Sequence, residues 1–287
     1  MIEWAGCGLL SSVSATAESP AQLPWINTTP ARWHKPVLGS FLLLLAADAI
    51  RGWLRLAWPT DWTWLSVAPW ALAALTLSIG LARRLPVQNV VAVAALAGVL
   101  GFGLEALNAA TNIPFGHRQM SDLAGARVLG VAWFQPFLWV SLAMAGRGVA
   151  RLILRPWRKL AYYGIWVMGT AILLTLAMAL AYEAAGTADG WWWRENRSGV
   201  WDWYGAPLAS VSGWLVTTLL IYGFTTPWFL NKQPVKQPTD WHPLVVWEIL
   251  LMWLTVGNAL HGLWTAVVVG LLTGVIAGVL AVRGGTW

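Results

Sequence analysis

The fold is decided by the run VQNVVAVAALAGVLGFGLEALNAA, which occupies positions 87–110 and holds one ionisable residue, Glu105. About 20 consecutive apolar residues are needed to carry an α-helix across the hydrocarbon core of a bilayer. The dipeptide Arg83-Arg84 and Pro86 precede the run and mark its start. We therefore expect a transmembrane helix here, and comparable runs recur on both sides of it.

Seven more apolar segments predict further helices. Their expected positions are roughly 37–57, 64–82, 127–146, 160–185, 205–229, 243–260 and 262–282. With the helix at 87–110, the chain is expected to form an all-α polytopic bundle of about eight transmembrane helices. We assign residues 37–287 to one transmembrane domain and residues 1–36 to an N-terminal interfacial segment. We do not expect the latter to be a secretory signal, because Glu3 lies where positive charge is required and the apolar stretch is short.

The composition supports a membrane protein. Of the residues, 58% are hydrophobic and 10% are charged, whereas about a quarter are charged in soluble domains. The net charge of +6 reflects a shortage of acids, and the Lys and Arg residues are scattered over short loops. No nucleic-acid partner is therefore expected. The single cysteine, Cys7, excludes an intrachain disulfide and a cysteine-based metal site.

The distribution of Lys and Arg predicts the orientation. The predicted loops on one side, including 83–84 and 151–159, carry about twice as many of these residues as the loops on the other side. Loops rich in Lys and Arg face the cytoplasm. With an even number of helices, both termini are expected in the cytoplasm, and the protein is expected in the cell (inner) membrane.

Four acidic residues lie inside predicted helices, where ionisable groups are costly and indicate a functional site by default. They are Asp48, Glu105, Glu183 and Glu248. Asp48 lies three residues before Arg51, which favours a structural ion pair. Glu248 lies toward the cytoplasmic end and is interpreted as a helix-packing residue. His261 lies at a helix junction, where a hydrogen-bonding role is favoured over catalysis.

Glu105 shares one helix face with Asn108 and Asn112, because these residues are three and seven positions apart. That face is too polar for lipid. It either packs against another helix through hydrogen bonds or presents a carboxyl group to a ligand cavity, and both interpretations remain open at this point.

Two loops, 111–126 and 186–204, are expected on the same side as Glu105. They carry His117, Asp122 and a dense set of aromatic residues. The chain has 24 tryptophans, most of which are interpreted as anchors at the membrane interface. The aromatic loop 186–204 is either such an anchored loop or a lid over a cavity.

Two blocks of sequence resemble the membrane carotenoid hydratases of the CruF type, which include the bisanhydrobacterioruberin hydratases. The first block comprises Glu105, Asn112-Ile113-Pro114-Phe115-Gly116, Asp122-Leu123, Gly130-Val131, Pro136 and Trp139. The second runs from Tyr204-Gly205-Ala206-Pro207-Leu208 to Gly213-Trp214. Between them, Glu183 lies where the family tends to carry an Asp-Pro pair, and Trp191 and Trp193 lie where it has Trp-x-Trp. The chain departs from the family pattern at Arg118, Met120, Ala132, Ala184 and Ser210.

The resemblance implies a reaction that adds water to the terminal C=C bond of an acyclic carotenoid. An isolated alkene is a poor base, so a neutral carboxylic acid must protonate it, and Glu105 is the expected donor. Tryptophan faces would stabilise the resulting cation, and Asp122, Glu183 or His117 would place the water. No metal or organic cofactor is required. The expected substrate-binding residues are Asn108, Asn112, Trp191, Trp193, Trp203, Tyr204 and Trp214.

Two other functions remain open. The departures from the family pattern are also compatible with a non-catalytic protein that binds a carotenoid or another polyisoprenoid lipid, or with a subunit of a larger membrane complex. A transporter is disfavoured because the chain has no internal repeat. The hydratase interpretation requires Glu105 to face the bundle interior, close to Asp122 or His117 and to segment 201–214. It also requires an apolar cleft that opens toward lipid.

Overall fold

The computed structural model describes residues 29–56, 58–193, 202–229 and 239–287. Within these ranges it contains eight α-helices, which confirms the predicted all-α bundle. They are α1 (Thr29–Trp53), α2 (Ala68–Ala82), α3 (Val87–Thr111), α4 (Gln135–Ile153), α5 (Tyr163–Ala188), α6 (Leu208–Thr225), α7 (His242–Leu260) and α8 (Trp264–Gly285). Six two-residue strands lie in the loops: β1 (Gln119–Met120), β2 (Arg127–Val128), β3 (Val131–Ala132), β4 (Trp192–Trp193), β5 (Asp202–Trp203) and β6 (Ala206–Pro207).

The odd-numbered helices end at one face of the bundle, which we call the strand face because the short strands lie there. Strand β1 follows α3 and pairs antiparallel with β4, which follows α5. His261, after α7, lies 2.9 Å from Asp189, after α5. At the opposite end, Arg84 forms an ion pair with Asp240 at 3.0 Å. The helices therefore alternate in direction, so the loops that flank Glu105 and Glu183 come together.

Helix α4 is the central element of the bundle, since it packs against α2, α3, α5, α7 and α8. It starts at Gln135, so the prediction of a helix from 127 was wrong. Residues 127–132 instead form the β2–β3 hairpin, whose turn places Leu129 and Gly130 at φ values of +52° and +78°. Positive φ is incompatible with a right-handed helix.

Two other helices start at positions different from those predicted. Helix α1 begins at Thr29 and contains Pro36 within it, so the first helix starts earlier than expected. Residues 1–28 of the predicted interfacial segment lie outside the described residues. Helix α2 begins at Ala68, because residues 60–66 form a 3₁₀-helix before it.

In the described part of the chain, five helices are long and apolar enough to cross a membrane, namely α1 (from Arg32), α3, α5, α7 and α8. Helix α2 is apolar but shorter. Large apolar side chains such as Val99, Leu173 and Val275 are exposed on the outer surface, where they suit lipid. The protein is therefore membrane-associated, whereas its orientation stays a prediction.

Candidate functional site

Three charged side chains meet inside the bundle near the strand face. They are Glu105 of α3, Arg118 of the loop after α3, and Glu183 of α5. The Arg118 Nη2 atom donates a hydrogen bond to Glu105 Oε2, and its Nη1 atom lies 3.6 Å from Glu183 Oε1. All three residues are at most 5% exposed. We call this group the buried ion cluster.

Asn108 shapes the loop that delivers Arg118 to Glu105. Its side-chain oxygen accepts a hydrogen bond from the Phe115 N–H at 2.8 Å, and its side-chain nitrogen donates to the Gly116 carbonyl at 3.1 Å. Gly116 has a φ of +80°, which glycine adopts without strain. The turn therefore folds back against the last turns of α3 and returns the chain to Glu105. Asn108 was expected to bind substrate, and the structure gives it a contact within the loop.

Helix α6 contacts the cluster through two side chains, Ser210 and Trp214, which bind Glu183 of α5. Glu183 Oε1 accepts hydrogen bonds from Ser210 Oγ at 2.6 Å and from Trp214 Nε1 at 2.8 Å. Because Arg118 lies between the two glutamates, the segment around 105–118 and the segment around 202–214 converge in space, which is one of the conditions that the hydratase interpretation sets.

Aromatic rings enclose the cluster. The guanidinium carbon of Arg118 lies 5.2 Å from the ring centroid of Phe115 and 5.1 Å from that of Trp192. The rings of Trp139 and Trp214 are 4.5 Å apart. Such faces attract cations most strongly where water is excluded. The site is therefore a buried aromatic enclosure around two carboxyl groups and one guanidinium.

The two glutamates determine the ionisation of Arg118. Burial alone lowers its pKa, but the carboxylates of Glu105 and Glu183 raise it above the ordinary arginine value. Arg118 is therefore a permanent cation in the enclosure. A fourth polar group, the Tyr182 hydroxyl, accepts a hydrogen bond from Gln135 Nε2 at 3.2 Å and packs its ring 5.6 Å from that of Trp214.

A small cavity of about 20 Å³ adjoins the cluster between α5 and α6. Its lining includes Glu183, Ser210, Trp214, Trp203 and Leu180. A cavity needs about 10–15 Å³ to hold one water molecule, so this space fits a single water beside a carboxyl and a hydroxyl group.

Three predicted residues have no described side-chain contact with the buried ion cluster. The Asp122 side chain is 93% exposed and forms an ion pair with Arg127 at 2.6 Å. His117 is half-buried, with its ring centroid 6.3 Å from that of Trp193. Asn112 is exposed and ends α3 in the left-handed conformation. Of Asp122, Glu183 and His117, which were proposed to place the water, only Glu183 is a member of the cluster as the structure describes it.

The predicted aromatic binding residues divide in the same way. Trp214 donates a hydrogen bond to Glu183 of the cluster, and Trp191 is buried one layer away, with its ring 5.9 Å from that of Tyr182. Trp203 donates a hydrogen bond from Nε1 to the Leu180 carbonyl at 2.9 Å. Tyr204 packs its ring 5.2 Å from that of Trp203, and Trp193 is 52% exposed.

Sequence reasoning missed Arg118, Gln135 and Tyr182 as members or neighbours of the site. Arg118 was noted as a departure from the family pattern. The sequence did contain a signal for a basic partner such as Arg118. Glu105 and Glu183 lie in apolar helices that hold no basic residue, and a buried charge requires a partner. Gln135 and Tyr182 carry no comparable signal in the sequence.

The structural roles expected for two other residues are confirmed. Asp48 and Arg51 form an ion pair at 2.9 Å, and His261 forms a hydrogen bond to Asp189. Glu248 lies against α8, where carboxyl oxygens approach the positions of Gly274 and Gly278. Within the described residues, no three His, Cys, Asp or Glu side chains are grouped as metal ligands.

The candidate site lies within the part of the chain that matches a known protein family. A family model described as carotenoid biosynthesis protein matches residues 65–277, which include all three members of the buried ion cluster. No curated protein and no solved structure matches the chain.

Proposed function

The chain belongs to the carotenoid biosynthesis protein family, and we propose that its reaction is the addition of water to a terminal C=C bond of an acyclic carotenoid. The observation that carries this proposal is the buried ion cluster beside a water-sized cavity. Two carboxyl groups, an aromatic enclosure and space for one water supply the acid, the cation-stabilising faces and the nucleophile of an acid-catalysed hydration. The cavity beside Glu183 has the size of one water molecule, so the proposal also requires the helices to separate when the carotenoid end enters.

The charge balance of the cluster supplies the acid. Arg118 carries one positive charge, so the group becomes electrically neutral when one of the two carboxyls retains a proton. Neutrality is favoured because unpaired charge is costly in an apolar interior. Glu105 is assigned as the donor: its Oε1 atom is buried and has no hydrogen-bond partner among the described residues.

The reaction then proceeds in two steps. Transfer of the Glu105 proton to the terminal alkene forms a C–H bond and a tertiary cation, which the faces of Trp139 and Trp214 stabilise. A water molecule held by Glu183 and Ser210 attacks the cation and forms the C–O bond. The proton released from this water goes to a carboxylate of the cluster, which restores the acid, and the product is a tertiary alcohol.

Co-expression with acyclic carotenoids tests the proposal. The wild-type protein is expected to yield a product heavier by one water, and Glu105→Gln or Glu183→Gln is expected to abolish it. Glu248→Gln is the matched control, because it removes a carboxyl of α7 outside the cluster. Product should be normalised to folded protein measured by size-exclusion chromatography. Absence of a hydrated product from every acyclic carotenoid tested would contradict the proposal.

A conservative variant separates chemistry from folding. Trp214→Phe keeps an aromatic face and removes the N–H that donates to Glu183. We expect a lower yield of hydrated product at unchanged carotenoid content. An unchanged yield would show that this hydrogen bond does not position the water.

A second candidate function is carotenoid binding without turnover. The observation that favours it is the position of Arg118, whose guanidinium contacts both carboxyl groups and so closes the cluster. A stoichiometric unmodified pigment that co-purifies with the protein, with no hydrated product, would select this alternative.

A further inference from the structure

A separate cavity of about 550 Å³ opens between the strand-face ends of α1, α5 and α7. Its volume falls in the range of small-molecule sites, roughly 300–1,000 Å³. Trp191 lines it on one side and packs against Tyr182 and Trp192 on the other, with ring centroids 5.9 and 6.0 Å away. The cavity is therefore distinct from the buried ion cluster and separated from it by one aromatic layer.

One acidic group of this cavity is already neutralised. Asp48 Oδ1 accepts hydrogen bonds from Arg51 Nε at 3.0 Å and Nη2 at 2.9 Å, and from Trp58 Nε1 at 3.2 Å. Its Oδ2 atom accepts from Trp253 Nε1 at 2.9 Å. Asp48 and Arg51 thus cancel in charge, and the carboxylate has no need of a cationic ligand.

Among the remaining charged groups, the second carboxylate already has a partner. Asp189 lies 2.9 Å from His261 Nε2, and this hydrogen bond raises the pKa of His261. Arg55 also lines the cavity. Among the side chains that the structure describes, Arg55 has no ion-pair partner. Within that set, the group of the lining without a carboxylate partner is therefore a guanidinium.

The floor of the cavity is apolar. Trp191, Trp253 and Leu254 are buried beneath the charged rim, and Leu260 extends this surface outward. A cationic rim over an apolar floor matches an amphipathic anion. The rim lies at the ends of helices that are long enough to cross a bilayer, which is the level of lipid headgroups.

We propose that this cavity binds a phospholipid with an anionic headgroup. Arg55 contacts the phosphate, because guanidinium binds phosphate oxygens through paired N–H donors. The glycerol and the first part of the acyl chains lie on the Trp191 and Trp253 floor. The site is independent of the hydration chemistry, and its test does not use that activity.

Lipid titration of the purified full-length chain in detergent tests the proposal. Phosphatidylglycerol should raise the thermal unfolding midpoint in a saturable manner, whereas phosphatidylcholine and soluble glycerol 3-phosphate should not. Arg55→Gln removes one charge-assisted contact and is expected to weaken the apparent phosphatidylglycerol affinity about tenfold. The matched control is Arg158→Gln, an exposed loop arginine at the opposite end of the bundle, which should leave the affinity unchanged.

A second variant tests the cavity without changing its charge. Gly257 of α7 lines the cavity, and a Cβ atom added there meets no atom within 4 Å. Gly257→Phe should fill the space, keep the fold and lose the phosphatidylglycerol response. The proposal is overturned if both lipids act equally, if glycerol 3-phosphate alone gives the full response, or if Arg55→Gln or Gly257→Phe binds like the wild type.

Discussion

Replacement of Arg118 by methionine should destabilise the protein strongly, because it removes the shared partner of two buried carboxyl groups. The side chains of Arg118 and Glu105 are 1% and 2% exposed, and that of Glu183 is 4% exposed. Breaking a buried ion pair by removing one partner costs about 3–5 kcal/mol. At roughly 2–4 °C per kcal/mol, the unfolding midpoint should fall on the order of 10 °C. Methionine has a similar length and no hydrogen-bond donor, so the loss reports mainly the guanidinium.

The assay is thermal unfolding of the purified protein in a single detergent, followed by intrinsic tryptophan fluorescence. Arg127→Gln serves as the control, since Arg127 and its partner Asp122 have side chains 43% and 93% exposed. Such a surface pair contributes about 0–1 kcal/mol, so its midpoint should change little.

A double-mutant cycle isolates the interaction between Arg118 and Glu105. Arg118→Met combined with Glu105→Gln should be less destabilised than the sum of the single changes, by roughly 1–3 kcal/mol, because each single change disrupts the same hydrogen bond and the second has no such bond left to remove. If the two changes add within about 0.5 kcal/mol, or if Arg118→Met alone unfolds like the wild type, the buried ion cluster does not stabilise the fold as argued.

Two more predictions concern packing and pH. Gly101→Ala places a Cβ atom 2.2 Å from the ring of Trp139 and should destabilise by about 1–3 kcal/mol through overpacking. Gly103→Ala, where nothing lies within 4 Å, should instead stabilise α3 by up to about 1 kcal/mol, and both are read from unfolding midpoints. The hydrogen bond to Asp189 raises the pKa of His261. The stabilisation of the fold by this pair is therefore complete below about pH 6.5 and is lost as the pH rises through the folded-state pKa. Over that range the free energy of unfolding should fall by less than about 1 kcal/mol, because the pair is partly exposed, and the unfolding midpoint should fall slightly with it. If the same decline persists in His261→Asn, a group other than His261 causes it.

Much of the fold was predictable because helix formation in a membrane depends on local composition. A run such as 87–110 satisfies the length and apolarity of a bilayer span wherever it occurs in a chain. The ion pair of Asp48 and Arg51 was equally predictable, since residues three apart on a helix are neighbours. The start of α4 was predicted wrongly, because the apolar residues of 127–132 suit a helix by composition while Leu129 adopts a left-handed conformation in the hairpin turn.

The sequence by itself determined the membrane class, the number of helices and the presence of two glutamates that needed buried partners. Only the tertiary structure decided which residues those partners are. Arg118 is 13 residues from Glu105 along the chain, and Glu183 reaches it from another helix. Such a contact depends on how loops and helices pack, and no local pattern encodes it. The same packing left Asp122 exposed and brought Glu183 to a water-sized space, because burial and proximity are properties of the assembled bundle.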